Sequence, residues 1–278
     1  MSARKHMTGV VDIDTIEVDG RFLRVGKRDG QRGVTPLLLF NGVGASLELV
    51  EPFVAALERS IGIVIFDVPG VGGSPTPRTP YRFSGVARLG DRLMLKLGFD
   101  GTVDVLGISW GGAVAQQFAY DFPKRCRRLI LAATSPGALM VPGKIGAILK
   151  LASPRRYTDP DFLRRVGADL YGGAYRKNPE LLHHHARHIK PSGGLGYAFQ
   201  LLAGAGWTSL PWLHRLRQPT LIIHGTDDPI VPLTNAKIMA SLIPGSRLHV
   251  IDDGHLFLLS RAKDVAPMIS RFLLEDKA

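Results

Sequence analysis

A single cysteine in 278 residues, Cys126, rules out an internal disulfide and a thiolate metal cluster. It is expected as a small packed residue beside a strand. No run approaches the roughly 20 apolar residues that cross a bilayer. The opening MSARKHMTGVVDID sets polar and acidic residues where the apolar stretch of a secretory leader would lie, so a cytoplasmic protein is expected. Dinucleotide-loop spacing is missing too: Gly70-Val71-Gly72-Gly73 fails the Gly-x-Gly-x-x-Gly pattern and runs into prolines instead of a helix. No helix-turn-helix, zinc-finger or RNP pattern accompanies the net charge of +11, so nucleic acid is not an expected partner.

What the chain does have is an ordinary globular composition, with 45% hydrophobic and 21% charged residues. Short apolar runs at Leu37 to Phe40, Ile63 to Phe66, Val103 to Leu106, Leu129 to Ala132, Leu221 to Ile223 and Leu248 to Ile251 read as strands buried on both faces. Between them, Leu47 to Leu57, Val86 to Leu97, Ala113 to Tyr120, Asn235 to Leu242 and Val265 to Leu274 carry apolar residues at helical spacing. The alternation predicts an α/β fold with a mostly parallel central sheet and helices on both faces. Ahead of it, Ile13 to Val18 and Phe22 to Val25 around Asp19-Gly20 predict an antiparallel hairpin. The pattern breaks once, after Ala132, for about eighty residues, which predicts a mainly helical lid inserted into the core domain. The expected division is residues 1–136 and 219–278 as core and 137–218 as lid. The lid holds 12 Lys and Arg against 4 Asp and Glu, so +8 of the net charge lies there.

Gly107-Ile108-Ser109-Trp110-Gly111 sits between a predicted strand and a predicted helix. A serine on so tight a turn needs small residues two positions away on either side, and the helix N-terminus behind it favours developing negative charge. A hydroxyl is a weak nucleophile and needs a histidine base oriented by a carboxylate, in the chain order Ser, acid, His. His255, in the loop beyond the last strand, is the expected base; His224 and His249 read as packed residues, and His183, His184, His185, His188 and His214 lie in the insertion. Two adjacent aspartates compete for the acid: Asp228, three residues after Gly225 and four before Pro232, is favoured over Asp227, while Asp252 and Asp253 lie too close in sequence to His255. Asp227 and Asp252 read as turn or cap residues. Oxyanion donors are expected from the backbone N–H groups of Trp110 and Val43. This chemistry needs no cofactor and no metal, and His184 with His188, four apart, reads as a solvated face.

The segments FNGVGASLELVEPF, FDVPGVGGSPTPRTPYRF, GISWGGAVAQQFAYDFP, LAATSPGALMVPGK, ASPRRY, GWTS and DDGHLFL resemble those of the α/β-hydrolases, and within them the intracellular medium-chain-length poly(3-hydroxyalkanoate) depolymerases. The likeness runs from about Thr35 to Leu274, and by it Ser109, Asp228 and His255 fall on the family's triad positions. It implies a serine carboxylester hydrolase that depolymerises a polyester through an acyl-enzyme on Ser109, in the cytoplasm and at the granule surface. An esterase or C–C bond hydrolase of small soluble substrates with the same triad is the alternative; a granule-binding protein with a decayed site is a third class. Asn41 departs from the His-Gly opening common in the superfamily. Leu139, Met140, Phe199, Leu201, Leu202, Trp207 and Trp212 suggest that the lid roofs an apolar acyl pocket, with Trp207 and Trp212 as candidate substrate contacts. The basic excess suggests salt-sensitive attraction to an anionic granule coat, or only a solubilising face.

Overall fold

A computed structural model describes residues 5–7, 10–153, 155, 159–178, 180–182 and 194–275. The histidine tract at 183, 184, 185 and 188, together with Arg187 and Arg156, lies outside the described residues.

Nine strands form one sheet: β1 (Lys5–Met7), β2 (Val11–Val18), β3 (Arg21–Arg28), β4 (Leu37–Phe40), β5 (Ile63–Phe66), β6 (Val103–Ile108), β7 (Cys126–Ala132), β8 (Thr220–Gly225) and β9 (Arg247–Ile251). Their order is β1-β2-β3-β5-β4-β6-β7-β8-β9, antiparallel from β1 to β5 and parallel from β5 onward. Alternate residues of a strand face opposite sides, and the core divides accordingly. Leu38 and Phe40 join one cluster with α2 (Phe83–Lys96), α3 (Trp110–Asp121) and α8 (Leu233–Leu242). Leu37 and Leu39 join the other with α1 (Glu51–Ala56), α9 (Phe257–Ser260) and α10 (Ala262–Leu274). The expected parallel sheet covered on both faces is therefore present.

Three local expectations change. The run at Leu47 to Leu57 splits into a 3-10 turn, Leu47–Val50, and α1, because Pro52 has no N–H to donate and fits only a first helical turn. Strand β7 starts earlier than the apolar run, at Cys126; Arg127 enters it by pairing with Asp104 of β6, and Arg128 by reaching Glu275. Strand β9 is an edge strand with only Ile251 buried, so His249 is exposed, not packed.

Between β7 and β8 lie α4 (Ile145–Ala152), α5 (Pro160–Tyr171), α6 (Gly173–Lys177), α7 (Gly194–Gly204) and a 3-10 turn, Leu210–Arg215. The ends of this interval are pinned together: Gly137 bridges Thr208, Ala138 N–H donates to Trp207 O at 2.7 Å and Ser209 N–H to Pro136 O at 2.9 Å. Leu163, Leu170, Tyr171, Tyr175 and Leu182 form a core that closes onto Ile230 and Val231 of the loop after β8. The interval is thus helical and seated over the carboxyl ends of the parallel strands, where open α/β sheets place their sites.

Candidate active site

Strand β6 ends in the turn that carries Ser109, and α3 starts at the next residue. Ser109 sits at φ 53°, ψ −117°, a left-handed backbone that costs a non-glycine residue about 1–3 kcal/mol. The turn survives because its neighbours have no side chains. A Cβ on Gly107 would lie 2.3 Å from Gly111 O, and one on Gly111 2.1 Å from Phe40 O. Ser109 N–H donates to Ala132 O at 2.9 Å, and Thr134 Oγ1 donates to Ser109 O at 2.7 Å, which hold the strained residue against β7.

Three loops meet at this serine. His255 Nε2 lies 3.0 Å from Ser109 Oγ, placed to accept its proton. On the other side of the ring, His255 Nδ1 lies 2.7 Å from Asp228 Oδ2, so its N–H is donated to the carboxylate and Nε2 is left as the acceptor. Asp228 Oδ1 accepts the N–H groups of Ile230 and Val231, each at 2.9 Å, so both oxygens of the buried carboxylate are engaged.

His224, packed as expected, also belongs to this constellation, which sequence reasoning missed. Fully buried in β8, it donates from Nε2 to Val231 O at 2.7 Å, with Asp228 Oδ2 3.5 Å away. Burial holds its ring below the ordinary histidine value, against the opposing pull of Asp228. Its Nδ1 is buried without a partner among the described residues. The one available signal was that His224 and Asp228 stand four residues apart around the turn that presents the acid.

The rival aspartates do other work. Asp227 accepts from Gly173 N–H at 2.8 Å and pairs with Arg176, which fastens α6 to the acid loop. Asp253 accepts from Ala174 N–H and Gly254 N–H, and His255 N–H donates to Tyr171 O at 2.7 Å. The turn between α5 and α6 therefore grips both the acid loop and the base loop. Asp252 is exposed and accepts from Thr226 Oγ1 at 3.2 Å.

Opposite the histidine, the loop after β4 comes within reach of Ser109: a Cβ on Gly42 would lie 3.8 Å from Ser109 Cβ. Asn41 braces this loop from within, donating to Ser46 O and accepting from Gly42 N–H, a use of its two-sided amide that sequence reasoning did not anticipate. Val43 and Trp110 both line the cavity that contains Ser109, and Trp110 is the first helical residue, where N–H groups have no partner inside the helix.

That cavity measures 580 Å³ and is walled mainly by apolar residues, among them Phe83, Met140, Ile148, Leu201 and Trp207. Trp207 stands edge-on to Phe83 at 4.9 Å and donates from Nε1 to Gln117 Oε1. Trp212 is not among the residues lining the cavity: it is half-buried against Tyr120, ring centroids 4.4 Å apart, and stands 6.0 Å from the Trp207 ring. Leu139, Phe199 and Leu202 are likewise not in the wall. Among the described residues no group of three His, Cys, Asp or Glu side chains is arranged to hold a metal ion, and no helix is long and apolar enough to cross a membrane.

A doubly covered parallel sheet with a hydrogen-bonded serine, histidine and aspartate at its carboxyl edge defines a hydrolase class, and the chain belongs to it: the alpha/beta hydrolase fold family matches residues 35–262. Within that class it is 52% identical over 263 residues to a poly(3-hydroxyalkanoate) depolymerase of Ectopseudomonas oleovorans, covering 95% of this chain and 93% of that one. It is 30% identical to a pimeloyl-[acyl-carrier protein] methyl ester esterase of Aromatoleum aromaticum, over 84% of this chain and 96% of that one. The enol-lactonase of Burkholderia xenovorans superposes with a TM-score of 0.81 at 23% identity, covering 94% of this chain and all of the other, a likeness of fold.

Proposed function

We propose that this chain is a serine carboxylester hydrolase that depolymerises intracellular poly(3-hydroxyalkanoate) with medium-length side chains. The observation that carries the reading is the 52% identity to a depolymerase across nearly the whole chain, with Ser109, His255 and Asp228 in one hydrogen-bonded line at an apolar cavity. Ser109 Oγ attacks the ester carbonyl carbon as its proton passes to His255 Nε2, and Asp228 stabilises the imidazolium. The backbone N–H groups of Val43 and Trp110 receive the oxyanion. His255 returns the proton to the departing alcohol oxygen, which is the 3-hydroxyl of the next unit, and an acyl-enzyme remains. Water attacks that ester with His255 as base, releasing the acid and restoring Ser109.

The interval 137–218 acts in this reading as a lid that walls the acyl cavity through Met140, Ile148, Leu201 and Trp207. It also presents apolar side chains outward: Ile145 is 77% exposed, Leu149 68%, Leu195 58% and Leu202 55%. Exposed apolar surface of this kind marks a place of contact, and on the lid of the cavity it suits a water-insoluble polyester at a cytoplasmic granule. Polyester latex, p-nitrophenyl octanoate and a vinylogous diketone assayed side by side test the proposal. Release of 3-hydroxy acids from latex, abolished in Ser109→Ala, is the expected result; octanoate hydrolysis with inert latex would leave a soluble-ester hydrolase, and turnover of the diketone alone a C–C bond hydrolase.

A further inference from the structure

Gln200, on α7, holds two positions at once. Its Oε1 accepts Gly44 N–H at 2.6 Å, and its backbone oxygen accepts Trp110 Nε1–H at 2.8 Å. One residue of the insertion therefore ties down both the loop after β4 and the side chain that follows the nucleophile. A backbone N–H can only donate, so the side-chain atom facing Gly44 is the oxygen, and Nε2 with its two hydrogens is turned elsewhere. Gln200 is fully buried, lines the Ser109 cavity, and its Nε2 has no hydrogen-bond partner among the described residues. Buried amide donors are rarely left unsatisfied in folded proteins, and one beside a substrate cavity calls for an acceptor that arrives with the substrate.

Every other side-chain donor in that wall is committed. Thr134 Oγ1 donates to Ser109 O, Ser135 Oγ to Met140 Sδ, Trp207 Nε1 to Gln117, and Trp110 Nε1 to Gln200 itself. Among the described residues, Gln200 is the one cavity-lining residue whose side chain keeps a donor without a protein partner, Nε2 itself being covered in this structure. A plain alkanoyl chain would leave it unsatisfied. An acyl unit of a 3-hydroxyalkanoate polyester carries an oxygen on its β-carbon, and inside the polymer that oxygen is esterified, has no hydrogen and can only accept. Recognition there needs a donor, and the same donor also serves a free 3-hydroxyl at a chain end.

We propose that Gln200 Nε2–H donates to the β-oxygen of the acyl unit bound at Ser109 and so selects 3-oxygenated acyl chains, while Gln200 Oε1 positions the loop that carries Val43. The inference rests on the polyester reading for its choice of substrate, but its test uses soluble esters of Ser109 chemistry. The pair is p-nitrophenyl 3-methoxyoctanoate and p-nitrophenyl 3-ethyloctanoate, each as single enantiomers, in which an oxygen and a CH₂ occupy the same place. Wild type is expected to favour one enantiomer of the methoxy ester by about tenfold in kcat/KM over its ethyl counterpart, the worth of one satisfied donor. In Gln200→Met the ratio falls to about one and both esters slow together, because the tie to Gly44 is lost as well. Gln200→Glu keeps an acceptor for Gly44 N–H and loses its donor once the carboxyl ionises, so its ratio falls as the pH is raised while the wild-type ratio does not; it also stands in if the methionine variant does not fold. A wild-type ratio near one, or a ratio unchanged in the variants, overturns the assignment, and an equal loss on both esters with the ratio kept would make Gln200 a brace alone. Inert latex alongside these ratios would sink the polyester reading and leave the role of Gln200 intact.

Discussion

Replacing Asp228 with asparagine separates geometry from chemistry at this site. The carboxylate has two engaged faces: Oδ1 accepts the N–H groups of Ile230 and Val231, and Oδ2 accepts the His255 Nδ1–H. An asparagine amide has only one acceptor. With its oxygen toward the two backbone donors, its NH₂ faces His255 Nδ1 and forces the imidazole into the other tautomer, in which Nε2 carries the proton and cannot take one from Ser109. With the amide reversed, NH₂ meets two backbone N–H groups in a buried site, the costlier arrangement, since two donors then lose their acceptor. The first orientation wins, so the loop is kept and the base is disabled. In other Ser-His-Asp hydrolases this change costs about 10⁴ in kcat, or about 5 kcal/mol of transition-state stabilisation. Asp228→Asn is expected to melt within a few degrees of wild type and to hydrolyse p-nitrophenyl octanoate about 10⁴-fold more slowly. Asp227→Asn weakens a half-exposed pair with Arg176 worth at most about 1 kcal/mol and should stay within about threefold of wild-type activity. Retention of more than a few per cent of activity by Asp228→Asn, or the reverse ranking of the two variants, would refute the reasoning.

Gly111→Ala would drive a Cβ to 2.1 Å from Phe40 O and is expected to cost more than about 4 kcal/mol, read as insoluble expression or a collapsed melting temperature. Trp207→Ala opens the cavity wall and should shift the preferred acyl length upward in a p-nitrophenyl ester series; Trp212→Ala should lower Tm and leave that profile unchanged, and a changed profile would return it to the site. Because burial depresses the His224 pKa, the unfolded chain takes up a proton first as pH falls, so this residue's share of stability is complete above 6.5 and declines below it. The Tm difference between wild type and His224→Gln should therefore shrink as pH is lowered from 7 through 5, and a constant difference would remove His224 from the acid response.

The elbow was legible because its requirements are local: strand, serine and two glycines are neighbours in sequence, and the steric need for Gly107 and Gly111 is met within the turn itself. Asp228 was separable from Asp227 by its place three residues after Gly225 and four before Pro232, a difference of one residue that turns the first toward His255 and the second toward Gly173 and Arg176. Gln200 was not legible. It lies in the apolar run Gly194–Gly204, where its neighbours Phe199, Leu201 and Leu202 drew attention as pocket walls. Its partners, Gly44 and Trp110, are 156 and 90 residues away, and no periodicity encodes that contact. A lone glutamine inside an apolar helix was the available sign, since a buried amide demands partners. The edge position of β9 was likewise invisible, because a short apolar run does not say whether another strand pairs beyond it.

The force that would hold the enzyme on a polyester surface can be decided from magnitudes. The basic excess of the insertion is partly neutralised within the fold: Lys150 pairs with Asp169 at 3.0 Å, Arg155 with Asp159 at 2.9 Å and Arg176 with Asp227 at 2.8 Å. Exposed charges contribute at most about 1 kcal/mol each and are screened beyond about 8 Å at physiological salt. Ile145, Leu149, Leu195 and Leu202, each more than half exposed, would each gain about 1 kcal/mol on leaving water, and salt does not screen that term. Four of them amount to about 4 kcal/mol, close to a thousandfold in partition. Wild type should therefore stay on polyester latex from 0.05 to 0.5 M NaCl. The triple variant Ile145→Ser, Leu149→Ser, Leu202→Ser should bind about a hundredfold less at every salt concentration, with p-nitrophenyl octanoate turnover within about twofold of wild type. Lys144→Glu with Lys177→Glu should change binding only at the lowest salt. Release of the wild-type enzyme from latex by 0.5 M NaCl would show that charge, and not the apolar face, does the holding.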